Sequence, residues 1–127
     1  MVSVIYVSLC ALIIVRLAWN VIKLRRSKRV SLGDGGDKDL AKAIGAQENA
    51  TEYMPITLLM LLGLELNGAP LILVHVIGSL FVLARLMHAY GIVKHFRWRI
   101  QGMWLTAFCM VSLVVANFVY LPYTKLL

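Results

Sequence analysis

Charge is scarce in this chain, and acidic charge is scarcer still. Only 15% of its 127 residues are charged, with 6 Asp and Glu against 13 Lys and Arg, whereas about 25% is usual in soluble domains. Hydrophobic residues make up 61% and the mean hydropathy is +0.81, which leaves too little polar surface to cover a water-soluble fold. The composition excludes a soluble globular enzyme and predicts a small polytopic membrane protein.

Cysteine and phosphate-binding motifs are also nearly absent. Cys10 and Cys109 lie inside apolar runs without metal-ligand or redox spacing around them, so we expect them to act as small hydrophobic residues and predict no metal site. The cluster Gly33-Asp34-Gly35-Gly36 lacks the Lys-Ser/Thr that follows a phosphate-binding loop. This absence argues against nucleotide binding.

Long apolar runs predict an all-α fold, a four-helix bundle in the membrane, because about 20 apolar residues are needed to cross a bilayer. The predicted spans are residues 2–22, 40–64, 70–91 and 102–121. The second span is unusual, since its apolar part, Tyr53 to Leu64, has only 12 residues and the rest includes Lys42, Glu48 and Glu52. Charged side chains are costly in lipid, so this helix is expected to line an interior or an interface.

Basic residues are concentrated in two segments between the spans, residues 23–39 and 94–99. The net charge is +7; seven of the basic residues fall between Lys23 and Lys42 and three between Lys94 and Arg99. A basic soluble protein commonly binds nucleic acid, but short basic segments between apolar runs instead orient a membrane protein. Both segments are therefore predicted to be cytoplasmic loops, with both termini on the opposite side and no nucleic-acid partner.

Polar residues of the second span share one helical face. At 100° per residue, Gly45, Asn49, Glu52 and Tyr53 occupy an arc of about 100°, and all of them precede Pro55. They form a polar wedge on the predicted cytoplasmic half of the span. Together with the basic segments, such donors suit a small, flexible anion that enters from the cytoplasm.

The third span carries a matching stripe, with residues at alternating spacings of three and four. Its members are Arg85, His88, Ile92, His95 and Arg99. An arginine inside a span nearly always faces a partner, and Glu52 is the expected counter-charge of Arg85. Two interpretations stay open: an ion-pair network that holds the helices together, or direct contact with a ligand. Arg16 of the first span is instead expected to extend its side chain to the membrane interface.

Three stretches resemble the MAPEG superfamily, the membrane-associated proteins in eicosanoid and glutathione metabolism. Residues 45–55, GAQENATEYMP, are similar to its second-helix signature. The matching positions are Asn49, Glu52, Tyr53 and Pro55. Residues 85–91, RLMHAYG, look like the third helix of the family, and residues 96–103, FRWRIQGM, look like its short bacterial branch. The resemblance covers essentially the whole chain.

This resemblance implies a homotrimer in a bacterial inner membrane, with periplasmic termini and a site that opens to the cytoplasm. Glutathione, as co-substrate, would lie between neighbouring protomers and react with a lipophilic substrate from the bilayer. The implied cofactor-binding residues are Asn49, Glu52 and Tyr53, with Lys23, Arg25 or Arg26 for a carboxylate and Arg85 and His88 in support. The implied thiol-activating residue is Arg99, with Arg97 as the second choice, because a fixed positive charge favours the thiolate.

One departure from the signature bears on function. Its first arginine is replaced by Gly45, and Lys42, about one turn earlier near the same face, is the candidate substitute. Two hypotheses remain: a glutathione-dependent transferase or peroxidase, or a non-catalytic member of the same fold that binds another small anion or a lipid. A small multidrug exporter is disfavoured because no acidic residue occurs between Met1 and Ile22.

Overall fold

A computed structural model describes residues 1–126, which form four long helices and a short 3₁₀ turn (Tyr123–Lys125). The long helices are α1 (Ser3–Lys28), α2 (Lys38–Leu66), α3 (Leu71–Val93) and α4 (Phe96–Val119). No strand occurs in the described residues, and the predicted all-α fold of four helices is confirmed. By length and composition, α1, α3 and α4 can each cross a membrane. The first half of α2 contains the charged residues of the polar wedge.

Two helices continue beyond the predicted spans into the basic segments. The last turn of α1 contains Arg25, Arg26 and Lys28, where cations interact favourably with the negative end of the helix dipole. Because α4 already begins at Phe96, only two residues connect it to α3. Arg97 and Arg99 therefore lie on a helix and not on the loop that the sequence predicts, which fixes their direction relative to α3.

Asp37 starts α2 by capping its first turn. One carboxylate oxygen accepts a hydrogen bond from the Leu40 backbone N–H at 2.9 Å, and the other accepts one from Lys28 Nζ at 2.6 Å. The Lys28 contact and then the Leu40 N–H hold the pKa of Asp37 below its ordinary value. Since the folded pKa is lowered, this contribution to stability is present at neutral pH and is lost as the pH falls through that lowered pKa.

Glu65, near the end of α2, holds the beginning of α1. Its carboxylate accepts hydrogen bonds from the backbone N–H groups of Val2, at 2.6 Å, and Ser3, at 2.8 Å. The first N–H groups of a helix have no partner within the helix, so the carboxylate satisfies two of them and fixes the register of α1 against α2.

Glu65→Ala is expected to lower the melting temperature in detergent by a few degrees, because both N–H groups of α1 lose their acceptor. Glu65→Gln retains one carbonyl oxygen and should lie between the wild type and Glu65→Ala. Thermal unfolding of the three proteins, followed by circular dichroism, tests this order. Identical melting temperatures for all three would mean that the contact does not stabilise the fold.

Close helix approach at two glycines positions the start of α4 against α3. A Cβ atom at Gly102 would lie 2.6 Å from the backbone nitrogen of His88, and one at Gly91 would overlap the backbone of Arg99. Only glycine permits such approaches, which place Arg99 directly beside the end of α3.

The two cysteines are small buried residues, as predicted. Cys10 and Cys109 are both free and lie in the main hydrophobic core.

Candidate functional site

A cleft of about 490 Å³ opens where the first half of α2 faces the end of α3 and the beginning of α4. Its lining residues are Ala41, Lys42, Gly45, Asn49, His88, Gly91, Ile92, Val93, Lys94, His95, Phe96 and Arg99. These include three basic residues, Lys42, Lys94 and Arg99, and no Asp or Glu. The cleft is therefore electropositive, and an anion is the ligand that it favours.

Arg85 lies next to the cleft and holds Asn49 in place. The Arg85 side chain is only 1% exposed, and its Nη2 donates to Asn49 Oδ1 at 2.6 Å. Its Nη1 lies 3.5 Å from Thr106 Oγ1, and Nη2 lies 3.5 Å from His88 Nδ1. Because Arg85 occupies the amide oxygen of Asn49, the Asn49 amide NH₂ remains available as a donor to a ligand.

The expected ion pair between Glu52 and Arg85 does not form within the chain, so that prediction is wrong for the single protomer. Glu52 is exposed, and among residues 1–126 the one ion pair joins Lys28 and Asp37. The pair does not form because the Glu52 side chain lies on the wrong side of α2. It lies two residues, or about 200°, from Ala50, a fully buried residue on the inner face of α2.

The residues of the predicted polar arc on the second span therefore lie in two different environments, one facing the bundle and one facing outward. Gly45, Asn49 and Tyr53 lie on the side of α2 that turns toward the bundle, where each is half-buried. The Tyr53 ring centroid lies 6.0 Å from Arg85 Cζ. Glu52 lies at the outer edge of the arc and is not among the residues that line the cleft.

Arg99 and Arg97, the first and second choices for thiol activation, occupy different positions. Both are exposed on the first turn of α4, but only Arg99 lines the cleft. The Arg99 guanidinium carbon lies 5.7 Å from the centroid of the Phe96 ring, a cation–π contact that restricts its orientation. The geometry therefore favours Arg99 over Arg97.

The remaining residues implied by the resemblance are only partly brought to the cleft. His88 lines it, is 2% exposed and supports Arg85 from the same helix. Lys23, Arg25 and Arg26 lie at the end of α1 and are not among the lining residues. Arg25 there donates to the Gly33 carbonyl oxygen at 2.7 Å.

Two polar lining residues, Lys94 and His95, were not predicted as site residues, although His95 lies on the stripe predicted for the third span. They form the whole connection between α3 and α4, and the predicted loop of six residues gave no indication of which side chains would face α2. The clue available in the sequence was the spacing of His95 from Arg99, four residues or about one helical turn.

Gly45 leaves part of the cleft open. A Cβ atom built at this position meets no atom within 4 Å, although Gly45 itself lines the cleft. Lys42, one turn earlier, lines the same cleft and supplies a cation there. The space beside Gly45 could therefore accept a larger side chain or an additional group of a ligand.

Comparison with known proteins covers nearly the whole chain. The model of the MAPEG family matches residues 3–119. The inner membrane protein YecN of Escherichia coli K12 is 41% identical over 124 residues, which is 97% of this chain and 95% of that protein. YecN of E. coli O6:H1 matches to the same extent.

Proposed function

Because this chain belongs to the MAPEG family, we propose that its basic cleft binds glutathione and activates the thiol toward lipophilic electrophiles. The observation that carries the proposal is the position of Arg99, which lines a cleft that contains two lysines and no carboxylate. Asn49, oriented by Arg85, would donate a hydrogen bond to the tripeptide. Glu52, at the outer edge of α2, and Tyr53 would complete the binding surface.

Thiol activation by Arg99 follows from simple electrostatics. A free thiol has a pKa of about 8.5, so only a small fraction is thiolate at neutral pH. An opposite charge within about 4–6 Å lowers such a pKa by roughly 1–3 units. The thiolate sulfur can then attack an electrophilic carbon and form an S–C bond while a leaving group departs. In the alternative reaction, two glutathione thiols reduce a hydroperoxide to an alcohol and water and are oxidised to the disulfide.

Arg99→Ala is expected to reduce the thiolate absorbance of bound glutathione at pH 7 several-fold, since loss of the charge raises the thiol pKa by about one unit or more and each unit lowers the thiolate fraction by up to a factor of ten. Arg97→Ala is the matched control, because Arg97 lies on the same helical turn but does not line the cleft. Ultraviolet difference absorbance of the purified variants, titrated with glutathione, gives the comparison. Equal signals from both variants would remove the assigned role of Arg99.

Gly45→Arg is expected to lower the Kd for glutathione about tenfold. The position is open toward the cleft, and a hydrogen bond to a charged group contributes about 1.5–3 kcal/mol, of which 1.4 kcal/mol corresponds to a factor of about ten. Calorimetric titration in detergent measures the change. Gly45→Ala fills the same position without charge and should bind like the wild type; if Gly45→Arg does the same, position 45 does not contact the ligand.

We also propose the location and assembly that this function needs. The basic segments would face the cytoplasm of a bacterial inner membrane, in keeping with the positive-inside rule and with the relative YecN, which is an inner membrane protein. The cleft would then open to the cytoplasm, where glutathione is available. Several copies, in a homotrimer, would bring Glu52 of one protomer against its neighbour.

A non-catalytic role is the second candidate, and Gly45 is the observation that favours it. Without the signature arginine, the cleft retains its positive charge but has one fewer fixed contact for a tripeptide. In this case another small anion or a lipid headgroup would occupy the cleft. Glutathione would then produce neither thermal stabilisation nor a thiolate signal.

A further inference from the structure

The wall that α2 contributes to the cleft is nearly free of side chains on one side of Asn49. The residues of α2 that line the cleft are Asn49 and, toward the beginning of the helix, Gly45, Lys42 and Ala41. A Cβ atom at Gly45 would meet no atom within 4 Å, and Ala41 adds only a methyl group. The cleft therefore continues from Asn49 toward the beginning of α2 as an open slot beside Gly45 and Ala41.

Lys42 places the cation of this wall farther from Asn49 than the MAPEG signature does. It precedes Asn49 by seven residues, or about 10.5 Å along the helix axis, whereas position 45 precedes Asn49 by four residues, or about 6 Å. Long side chains on a helix lean toward its beginning, which favours a still larger separation. Relative to the signature arginine, the cation is thus displaced by about 4.5 Å toward the beginning of α2.

This displacement corresponds to about one residue of extended peptide. An extended chain advances about 3.3–3.6 Å per residue. A peptide whose carboxylate reaches a cation at position 45 therefore needs about one further residue to reach Lys42. The slot provides the room for that residue, because glycine and alanine leave the path along α2 unobstructed.

Charge complementarity indicates which end of the peptide enters the slot. Glutathione has one ammonium group, on its glutamyl residue, and Glu52 is the acidic residue of the proposed binding surface. Glu52 follows Asn49 by three residues, so it lies on the opposite side of Asn49 from Lys42. Because an ammonium pairs with a carboxylate and a carboxylate with a cation, the glutamyl end is directed toward Glu52 and the glycine end toward Lys42.

We propose that the preferred ligand of this cleft is an acidic thiol peptide one residue longer than glutathione. Its terminal carboxylate contacts Lys42, and its additional residue, at the glycine end, lies in the slot beside Gly45. The inference rests on the proposed function and names the class of thiol that the same site selects. Glutathione itself binds through Asn49 but is too short to engage Lys42 fully. The replacement of the signature arginine by Gly45 thus changes the selected thiol and does not remove the site.

Three peptides test the proposal on the wild-type protein: glutathione, the tetrapeptide γ-Glu-Cys-Gly-Gly, and the C-terminal amide of that tetrapeptide. In calorimetric titrations in detergent, the tetrapeptide should have a Kd about tenfold lower than that of glutathione, because it gains a hydrogen bond between charged groups. The amide has the same length without the terminal charge and should bind no tighter than glutathione. A tetrapeptide that binds no tighter than glutathione, or an amide that binds as tightly as the acid, would overturn the proposal.

Variants of α2 test the role of Lys42. Lys42→Ala should bind the tetrapeptide about tenfold more weakly than the wild type does, with little change for glutathione. The double variant Lys42→Ala/Gly45→Arg moves the cation to the signature position and should bind glutathione at least as tightly as the tetrapeptide. Lys38→Ala is the matched control, because Lys38 is exposed one turn earlier but does not line the cleft; it should keep the wild-type preference. A preference retained in Lys42→Ala would contradict the proposed contact.

Thiolate absorbance of the bound peptides separates this inference from the proposed function. Equal affinity for glutathione and the tetrapeptide, with a thiolate signal from both, would overturn the preference for the longer peptide and leave thiol activation in place. Tighter binding of the tetrapeptide without a thiolate signal would support the inference and contradict thiol activation. Binding of neither peptide would overturn both.

Discussion

Gly91→Ala is expected to lower the melting temperature and to remove the thiolate signal of bound glutathione at the same time. A Cβ atom at Gly91 would overlap the backbone of Arg99, so α4 must move away from α3. Adding a methyl group to a closely packed site costs about 1–3 kcal/mol, and the backbone overlap here places the cost at the upper end. The displacement also moves the Arg99 guanidinium away from the cleft. The melting temperature and the thiolate signal should therefore fall together.

Gly45→Ala is the matched control for this prediction. It adds the same methyl group in the same cleft, but at a position where a Cβ atom meets nothing within 4 Å. Its thiolate absorbance should equal that of the wild type within error, and its melting temperature should be equal or slightly higher, because alanine is favoured over glycine inside a helix. A Gly91→Ala protein as stable and as active as Gly45→Ala would mean that α3 and α4 do not approach as closely as described.

Arg85→Ala is expected to lower the free energy of unfolding by about 4 kcal/mol. Truncation of a side chain that is 1% exposed leaves a cavity, for which large-to-small substitutions cost roughly 2–5 kcal/mol. It also leaves the half-buried Asn49 Oδ1 without its donor, which adds no more than about 1 kcal/mol because water in the cleft can replace the lost partner. Chemical unfolding in detergent, followed by fluorescence, measures the change.

Two comparisons separate the causes of that loss. Arg97→Ala removes an exposed arginine and should change the free energy of unfolding by no more than about 0.5 kcal/mol. The double variant Arg85→Ala/Asn49→Ala removes both partners of the hydrogen bond, so its loss should be smaller than the sum of the two single losses. Strict additivity would show that the Arg85–Asn49 hydrogen bond does not stabilise the protein.

The positions of the helices were accessible from the sequence because the bilayer sets a minimum length for apolar runs. The ends of the helices were not, because they depend on local contacts. Asp37 starts α2 through a cap and an ion pair with Lys28, while the basic last turn of α1 is stabilised as a helix. Because of these contacts, residues that the charge pattern alone assigns to loops belong to helices.

The sequence predicted many of the residues of the candidate site, but not which of their side chains contact one another. An arc of 100° correctly grouped Asn49 with Tyr53, yet it is too wide to distinguish the inner face of α2 from its outer edge. Glu52 falls at that edge, so Arg85 takes the neutral Asn49 as its acceptor. The contribution of Lys94 depends on the close approach at Gly91, which no helical periodicity reveals.

The pH titration of the thiol of bound glutathione tests the central claim most directly. Ultraviolet absorbance of the purified wild-type protein at saturating glutathione, recorded between pH 5 and 10, gives the pKa of the bound thiol. If the cations of the cleft favour the thiolate, that pKa lies at least about one unit below the ordinary value of about 8.5. Saturable binding with an unshifted thiol pKa, or no binding, would contradict thiol activation in this cleft.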